Sequence, residues 1–131
     1  MKFLIDTQIL IWSISSIARL SNEVKQILIQ NEIYVSQISF LEIAIKQSIN
    51  KLPGVTSSVE EIREQAKADG LEILEITSKH IDCYSSIPLF TDHRDPFDRL
   101  LIDTAVAENM FLISSDPKFY LYTPQLQLIS N

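Results

Sequence analysis

Four acidic residues stand where strands or helices are predicted to begin or end: Asp6, Glu42, Asp98 and Asp116. Carboxylates gathered in one place raise one another's pKa, so a cluster of them needs a counterion. Mg²⁺ or Mn²⁺ is the natural choice, because hard divalent cations prefer carboxylate and water oxygens. An ion held in this way activates water and neutralises phosphate. If the four acids converge, their chemistry is that of phosphodiester cleavage.

The elements that must position these acids follow from apolar patterning. Short apolar runs predict strands, and segments with helical periodicity predict helices between them. The strands are predicted over 2–6, 33–36, 71–76, 110–114 and 126–129, and the helices over 22–30, 40–50, 59–68, 78–85 and 96–108. This alternation predicts an α/β fold with a mostly parallel sheet of about five strands.

All four acids are expected at one edge of that sheet. In open parallel sheets, ligands bind beyond the carboxyl ends of the strands. Asp6 ends the first predicted strand, and Asp116 follows the fourth by two residues. Glu42 lies near the start of the helix after the second strand, and Asp98 lies in the first turn of the helix that leads into the fourth. A helix that feeds a parallel strand starts at this same edge, so the four side chains should meet.

Glu42 also has a purely structural interpretation. Ser39 and Glu42 have the spacing of a capping box, in which the glutamate returns a hydrogen bond to the start of the helix. Lys46, one turn later, is placed to pair with Glu42 or to contact RNA.

The other acids have structural interpretations too. Asp95 and Pro96 have the types expected at a helix N-cap and first helical position, and Asp98 then suits the helix dipole. Asp6 and Asp116 suit turns. Asp98 nevertheless heads the apolar face of its helix, which is an unusual place for a surface charge.

Three neighbouring charged or titratable residues are interpreted mainly as solvated. Arg99 could contact phosphate, but water is the preferred interpretation. Asp103 falls away from the apolar stripe and is expected in water or beside a basic residue. His93, alone in a polar loop, is expected to be solvated rather than catalytic.

Composition sets the outer limits. A chain of 131 residues predicts one domain over 1–131, and its net charge of −6 disfavours nucleic-acid binding unless cations neutralise the clustered acids. Cys83 is the sole cysteine, which fits a reducing, cytoplasmic setting. No apolar run is long enough to span a membrane, and Asp6 interrupts the opening run that would otherwise suit a signal peptide. Two glycines cannot build a glycine-rich phosphate loop.

Four segments, taken in order, resemble the PIN domains, and within them the VapC-type toxins of bacterial toxin–antitoxin pairs. They are 3–12, 36–46 with 51–53, 93–102 and 114–119, and each contains one of the four acids. Gln8 stands where relatives often have histidine, and Pro53 and Gly54 replace a common Gly-Lys-Leu turn. Neither departure affects the acids.

The resemblance implies a three-layer α/β/α sandwich, Mg²⁺- or Mn²⁺-dependent cleavage of RNA, a homodimer and an inhibiting antitoxin. On this hypothesis Asp6, Asp98 and Asp116 hold the metal, and Glu42 completes the site or orients the attacking water. Thr7 and Ser114 would assist as hydroxyl ligands or as hydrogen-bond donors to the ligands.

Two rival functions remain open at this point. An aspartate-based phosphatase would use Asp6 as a covalent nucleophile, but haloacid-dehalogenase-like enzymes place a second aspartate where this chain has Gln8. A non-catalytic PIN-like module would bind a protein partner through an inert acidic pocket, although such members usually lose one or more acids.

Overall fold

A five-stranded sheet forms the centre of the structure, a computed structural model that describes residues 1–93 and 95–131. The strands are β1 (Lys2–Ile5), β2 (Glu32–Ser36), β3 (Glu72–Leu74), β4 (Phe111–Ser114) and β5 (Gln127–Ser130). Their order is β3-β2-β1-β4-β5, and every neighbouring pair is parallel. The predicted α/β class is confirmed, with a sheet that is entirely parallel.

Helices connect the strands. They are α1 (Thr7–Ser15), α2 (Asn22–Gln30), α3 (Gln37–Ser48), α4 (Val59–Ala68), α5 (Ser78–Asp82) and α6 (Pro96–Ala107). Short 3₁₀ helices cover Ile17–Arg19, Cys83–Ser86 and Pro117–Tyr122. Gly70, with φ of 89°, closes α4 in a backbone conformation that glycine adopts readily.

The sheet is covered on both faces, which confirms the three-layer sandwich. Side chains alternate along a strand, so Phe3 and Ile5 enter one hydrophobic core while Leu4 enters the other. The first core packs the sheet against α1 to α4, with Phe40 and Ile43 of α3 buried in it. The second packs the opposite face against α6 and the 3₁₀ helix Pro117–Tyr122.

Strands are added to the sheet on opposite sides of β1, although all of them run parallel. From β1 the sheet extends through β2 to β3 on one side, and then through β4 to β5 on the other. Adjacent crossovers that leave a sheet in opposite directions open a crevice at the carboxyl ends of the strands. The topology therefore places the crevice beside β1 and β4.

Two helices differ from the sequence prediction: α1 was not predicted, and α3 begins earlier than predicted. Helix α1 was not predicted, because its residues Ile9, Leu10 and Ile11 are all buried and show no polar face. Helix α3 begins at Gln37, three residues before the predicted start, and Ser36 caps it by accepting a hydrogen bond from the amide of Ile38. The predicted capping box at Ser39 is therefore wrong.

Helix α6 buries two charges that were expected in water. Arg99 is 1% exposed, and its guanidinium donates to the carbonyl oxygens of Pro88 at 2.6 Å and Ile87 at 3.2 Å. Asp103 is fully buried, and neither of its carboxylate oxygens has a hydrogen-bond partner among the described residues. Burial raises the pKa of Asp103 to about 6, against the attraction of Arg99. Both residues face protein, so the solvated interpretations are wrong.

Measured against the length and hydropathy that a membrane crossing requires, every helix in the described part of the chain falls short.

The buried carboxylate of Asp103 predicts a pH dependence of stability. Its pKa is about 6 when folded against an ordinary 3.8, so the folded state binds the proton more tightly. Its contribution to the free energy of unfolding is therefore fully present below about pH 4 and is lost as the pH rises through about 6. Asp103→Asn cannot titrate. Its free energy of unfolding relative to the wild type should rise by about 2 kcal/mol between pH 4.5 and 7.5, because each pKa unit is worth about 1.4 kcal/mol.

Urea denaturation of both proteins at several pH values measures this difference. Asp69→Asn, which removes an exposed carboxylate, serves as the control. A difference for Asp103→Asn that varies with pH no more than the difference for Asp69→Asn would contradict the predicted cost of burying this charge.

Candidate metal site

A cleft of about 250 Å³ opens at the carboxyl edge of the sheet, beside β1 and β4. All four acids singled out in the sequence line it. The complete lining is Asp6, Thr7, Gln8, Glu42, Lys46, Asp95, Asp98, Ser115 and Asp116. The fold thus brings together residues that lie up to 110 positions apart.

Asp6 is held at the start of α1. It caps that helix by accepting a hydrogen bond from the amide of Ile9 at 2.8 Å. Burial raises the pKa of Asp6 to about 6, although hydrogen bonds from Ser114 and Ile9 lower it, and the charges of Asp98 and Glu42 raise it further. The carboxylate is therefore ordered by the helix but short of positive charge.

Glu42 lies in the second turn of α3 and is 7% exposed. Thr7 donates its hydroxyl to one carboxylate oxygen at 2.7 Å, and Lys46 pairs with the other at 2.9 Å. Ser39 lies 2.9 Å from the Thr7 hydroxyl and is placed to donate to it. These contacts point Glu42 into the cleft, and none of them caps α3.

Asp98 stands in the first turn of α6. The start of that helix matches the prediction: Asp95 accepts from the amides of Phe97 and Asp98, and Pro96 follows Asp95. Burial raises the pKa of Asp98 to about 6, while a hydrogen bond from His93 lowers it.

His93 is the residue that sequence reasoning missed. It is 4% exposed rather than solvated, and its two nitrogens contact Asp98 at 3.0 Å and the Tyr122 hydroxyl at 2.8 Å. Tyr122 is 29 residues away, so no local pattern marks this pairing. Within the described residues, His93, Asp98 and Asp116 offer three ligand atoms that all lie within 4.8 Å of one another.

Asp116 begins the 3₁₀ helix after β4. Its carboxylate accepts from the amide of Lys118 at 2.9 Å, and its own amide donates to the Ser114 hydroxyl at 3.0 Å. Ser114 thus contacts two of the acids, since it also donates to Asp6. Thr7 and Ser114, both singled out in the sequence, are hydrogen-bonded to acids of the cleft.

Two residues that were considered for RNA contact have different positions. Lys46 lines the cleft, where it is paired with Glu42. Arg99 follows Asp98 in sequence but is directed at the carbonyls of Ile87 and Pro88, and it does not line the cleft.

A family model of the PIN domain matches residues 3–123. This chain belongs to the PIN domain family. Comparison with curated protein sequences finds no match for this PIN domain.

Solved structures similar to this PIN domain include chains of VapBC complexes. A chain of VapBC2 from Rickettsia felis, bound to a DNA fragment from its promoter, has a TM-score of 0.71 and 21% identity, covering 99% of this chain and 98% of that one. A chain of DNA-bound VapBC from Salmonella typhimurium has a TM-score of 0.70 and 15% identity, covering 99% and 98%. A chain of VapBC-5 from Mycobacterium tuberculosis, a member of the VapBC family of toxin-antitoxin systems, has a TM-score of 0.63 and 16% identity. This match covers 99% of this chain and 98% of that one. These likenesses establish the fold.

The side chains of the cleft suit a divalent cation. Among the described residues that line it, Lys46 is the only cationic side chain, and Glu42 already pairs with it. The raised pKa values of Asp6 and Asp98 record carboxylates that lack a compensating charge. Several carboxylates at one cleft are the donor set of hard divalent ions. The PIN domain therefore has an acidic centre whose chemistry fits a metal ion.

Thr7 provides a test of how Glu42 is held. Thr7→Val keeps the shape of the side chain but leaves a buried carboxylate oxygen without its donor, which should lower the free energy of unfolding by about 1–3 kcal/mol. Thr7→Ser keeps the hydroxyl and loses one methyl group, worth about 0.8 kcal/mol. Urea denaturation without metal distinguishes the two variants. Equal stability of Thr7→Val and Thr7→Ser would show that the hydroxyl is not needed.

Proposed function

We propose that this chain is a metal-dependent endoribonuclease and the toxin of a toxin–antitoxin pair. The observation that supports this most is the convergence of Asp6, Glu42, Asp98 and Asp116 on one cleft of a PIN fold. Such a cleft repels phosphate unless a cation is present, and it suits phosphodiester chemistry once one is bound.

The proposed roles follow from the position of each acid. Asp6, Asp98 and Asp116 hold Mg²⁺ or Mn²⁺, and Glu42 completes the site or orients the attacking water. When bound, the metal supplies an activated water and neutralises the scissile phosphate. Thr7 keeps Glu42 in place through its hydroxyl, and Ser114 does the same for Asp6. Lys46, whose side chain is 39% exposed, is placed to meet a phosphate that enters the cleft.

RNA as the substrate rests on the sequence resemblance to VapC-type toxins. An antitoxin as the partner rests on the same resemblance and on the VapBC complexes that share this fold. A basic segment of the antitoxin would suit the acidic cleft and the net charge of −6. We propose further that the chain is a single PIN domain over 1–131, that it forms a homodimer, and that it acts in the cytoplasm.

Loss of the metal or of Asp98 should abolish RNA cleavage. We expect Asp98→Asn, and separately EDTA, to lower the rate at least about 100-fold, because the metal and its ligands supply several kcal/mol of transition-state stabilisation. Cleavage of a fluorescent RNA with added Mg²⁺ or Mn²⁺ measures this. Asp69→Asn, an exposed aspartate on the C-cap of α4, is the matched control and should cleave like the wild type.

Activity that persists both with EDTA and in Asp98→Asn would overturn the mechanism. A labile acyl-phosphate trapped at Asp6 after incubation with a phosphate ester would favour the phosphatase instead. Absence of Mn²⁺ binding by calorimetry would favour a non-catalytic binding module.

The toxin role predicts an effect on growth. Expression of the wild-type chain in a bacterial host should arrest growth, and Asp98→Asn, expressed to the same level, should not. Where a short open reading frame that encodes an antitoxin adjoins the gene, its co-expression should restore growth and yield a stable complex on purification. Equal growth arrest by both forms would mean that any toxicity is independent of the cleft.

A further inference from the structure

Two nitrogens of His93 are already occupied by protein groups. The side chain of Asp98 lies 3.0 Å from Nε2, and the hydroxyl of Tyr122 lies 2.8 Å from Nδ1. An ionised carboxylate only accepts hydrogen bonds, so Nε2 bears the proton and donates to Asp98. The Tyr122 hydroxyl can then donate to Nδ1, and both contacts are satisfied by a neutral imidazole. In this arrangement neither nitrogen has a lone pair left for a metal.

The imidazole of His93 contacts two segments of the chain, and each segment carries one acid of the cleft. Its ring packs edge-on against Phe119 at 5.3 Å and Tyr122 at 5.4 Å between centroids. Both aromatic residues belong to the 3₁₀ helix Pro117–Tyr122, which Asp116 caps. The Nε2 atom of the ring is hydrogen-bonded to Asp98, at the start of α6. His93 thus joins the start of α6 to the start of this 3₁₀ helix.

We propose that His93 is a positioning residue that orients Asp98 and sets its distance from Asp116, rather than a ligand of the metal. The proposal rests on the metal site of the proposed function and goes beyond it by assigning a role to His93 and Tyr122. A group that donates to a ligating carboxylate fixes its rotamer and direction, and loss of such a group typically weakens metal binding about 10- to 100-fold.

The test measures Mn²⁺ affinity from the electron paramagnetic resonance signal of the free ion, without any activity assay. His93→Leu removes the donor, and its Kd for Mn²⁺ should rise about 10- to 100-fold. His93→Gln can place an amide N–H near the position of Nε2, so it should recover most of the affinity. Tyr122→Phe removes a single hydroxyl and should raise Kd severalfold with the fold intact by circular dichroism.

The chain offers a matched control in His80. This histidine is also fully buried, and its Nε2 contacts Glu108 at 2.8 Å, at the opposite end of the same helix α6. His80→Leu removes a comparable buried pair far from the cleft, so it should leave the Kd for Mn²⁺ unchanged. An equal rise in Kd for His80→Leu and His93→Leu would mean that the effect is a general loss of structure, and would overturn the proposal.

Spin-echo spectra of the Mn²⁺-loaded wild type distinguish positioning from coordination. We expect no modulation from a directly bound nitrogen. A directly coordinated ¹⁴N, or a Kd for His93→Gln as high as that for His93→Leu, would overturn the positioning role. Asp98→Asn separates the two levels of inference. If it leaves Kd unchanged, the proposed metal site is wrong; if it raises Kd while His93→Leu does not, the role of His93 alone is wrong.

Discussion

Carboxylates crowded at one edge of the sheet repel one another. The surrounding groups must compensate for this repulsion if the fold is to be stable. The acids of the cleft are held by hydrogen-bond donors and a lysine that lie close to them. Helix α1 supplies an amide to Asp6, and Thr7 and Lys46 together satisfy Glu42. These donors stabilise the arrangement without neutralising it. Burial raises the pKa values of Asp6 and Asp98, and the negative charges of neighbouring acids raise them further. This arrangement suits a cation, and it lowers the stability of the protein when no cation is bound.

Much of this loss of stability arises in helix α6, because several of its turns bury a charged side chain. Arg99 offsets part of the cost of burying its charge by donating to the carbonyls of Ile87 and Pro88. These hydrogen bonds attach the first turn of α6 to the segment before it. Asp103 has no comparable donor among the described residues. Arg99 contributes rigidity next to Asp98, and its charge attracts the buried carboxylate of Asp103 without a hydrogen bond between them.

A net charge of −6 is compatible with an RNA substrate only if a bound cation offsets the negative charge of the cleft. Long-range attraction of a polyanion by this chain is weak, so binding would depend on the cation at the cleft and on local groups such as Lys46. The same acidity favours a basic partner. One cleft would then serve both the substrate and the inhibitor, which is consistent with mutually exclusive binding.

The sequence by itself determined the fold class and the edge of the sheet at which the acids meet. Apolar runs and helical periodicity depend on short stretches of chain, and the carboxyl ends of parallel strands share one edge, so Asp6 and Asp116 could be placed from local pattern alone. The N-cap at Asp95 was equally readable, because a cap involves only adjacent residues.

What only the tertiary structure decided involves residues whose surroundings come from distant parts of the chain. Helix α1 has no polar face to reveal its period, because the sheet and three other helices cover it. The capping-box spacing gave Glu42 an alternative structural interpretation, which the hydrogen bond from Thr7, 35 residues away, replaces. Polar residue type predicted solvent for His93 and Arg99, yet burial is a property of the packed elements around a side chain. The four acids could thus be located from the sequence, while the groups that orient them could not.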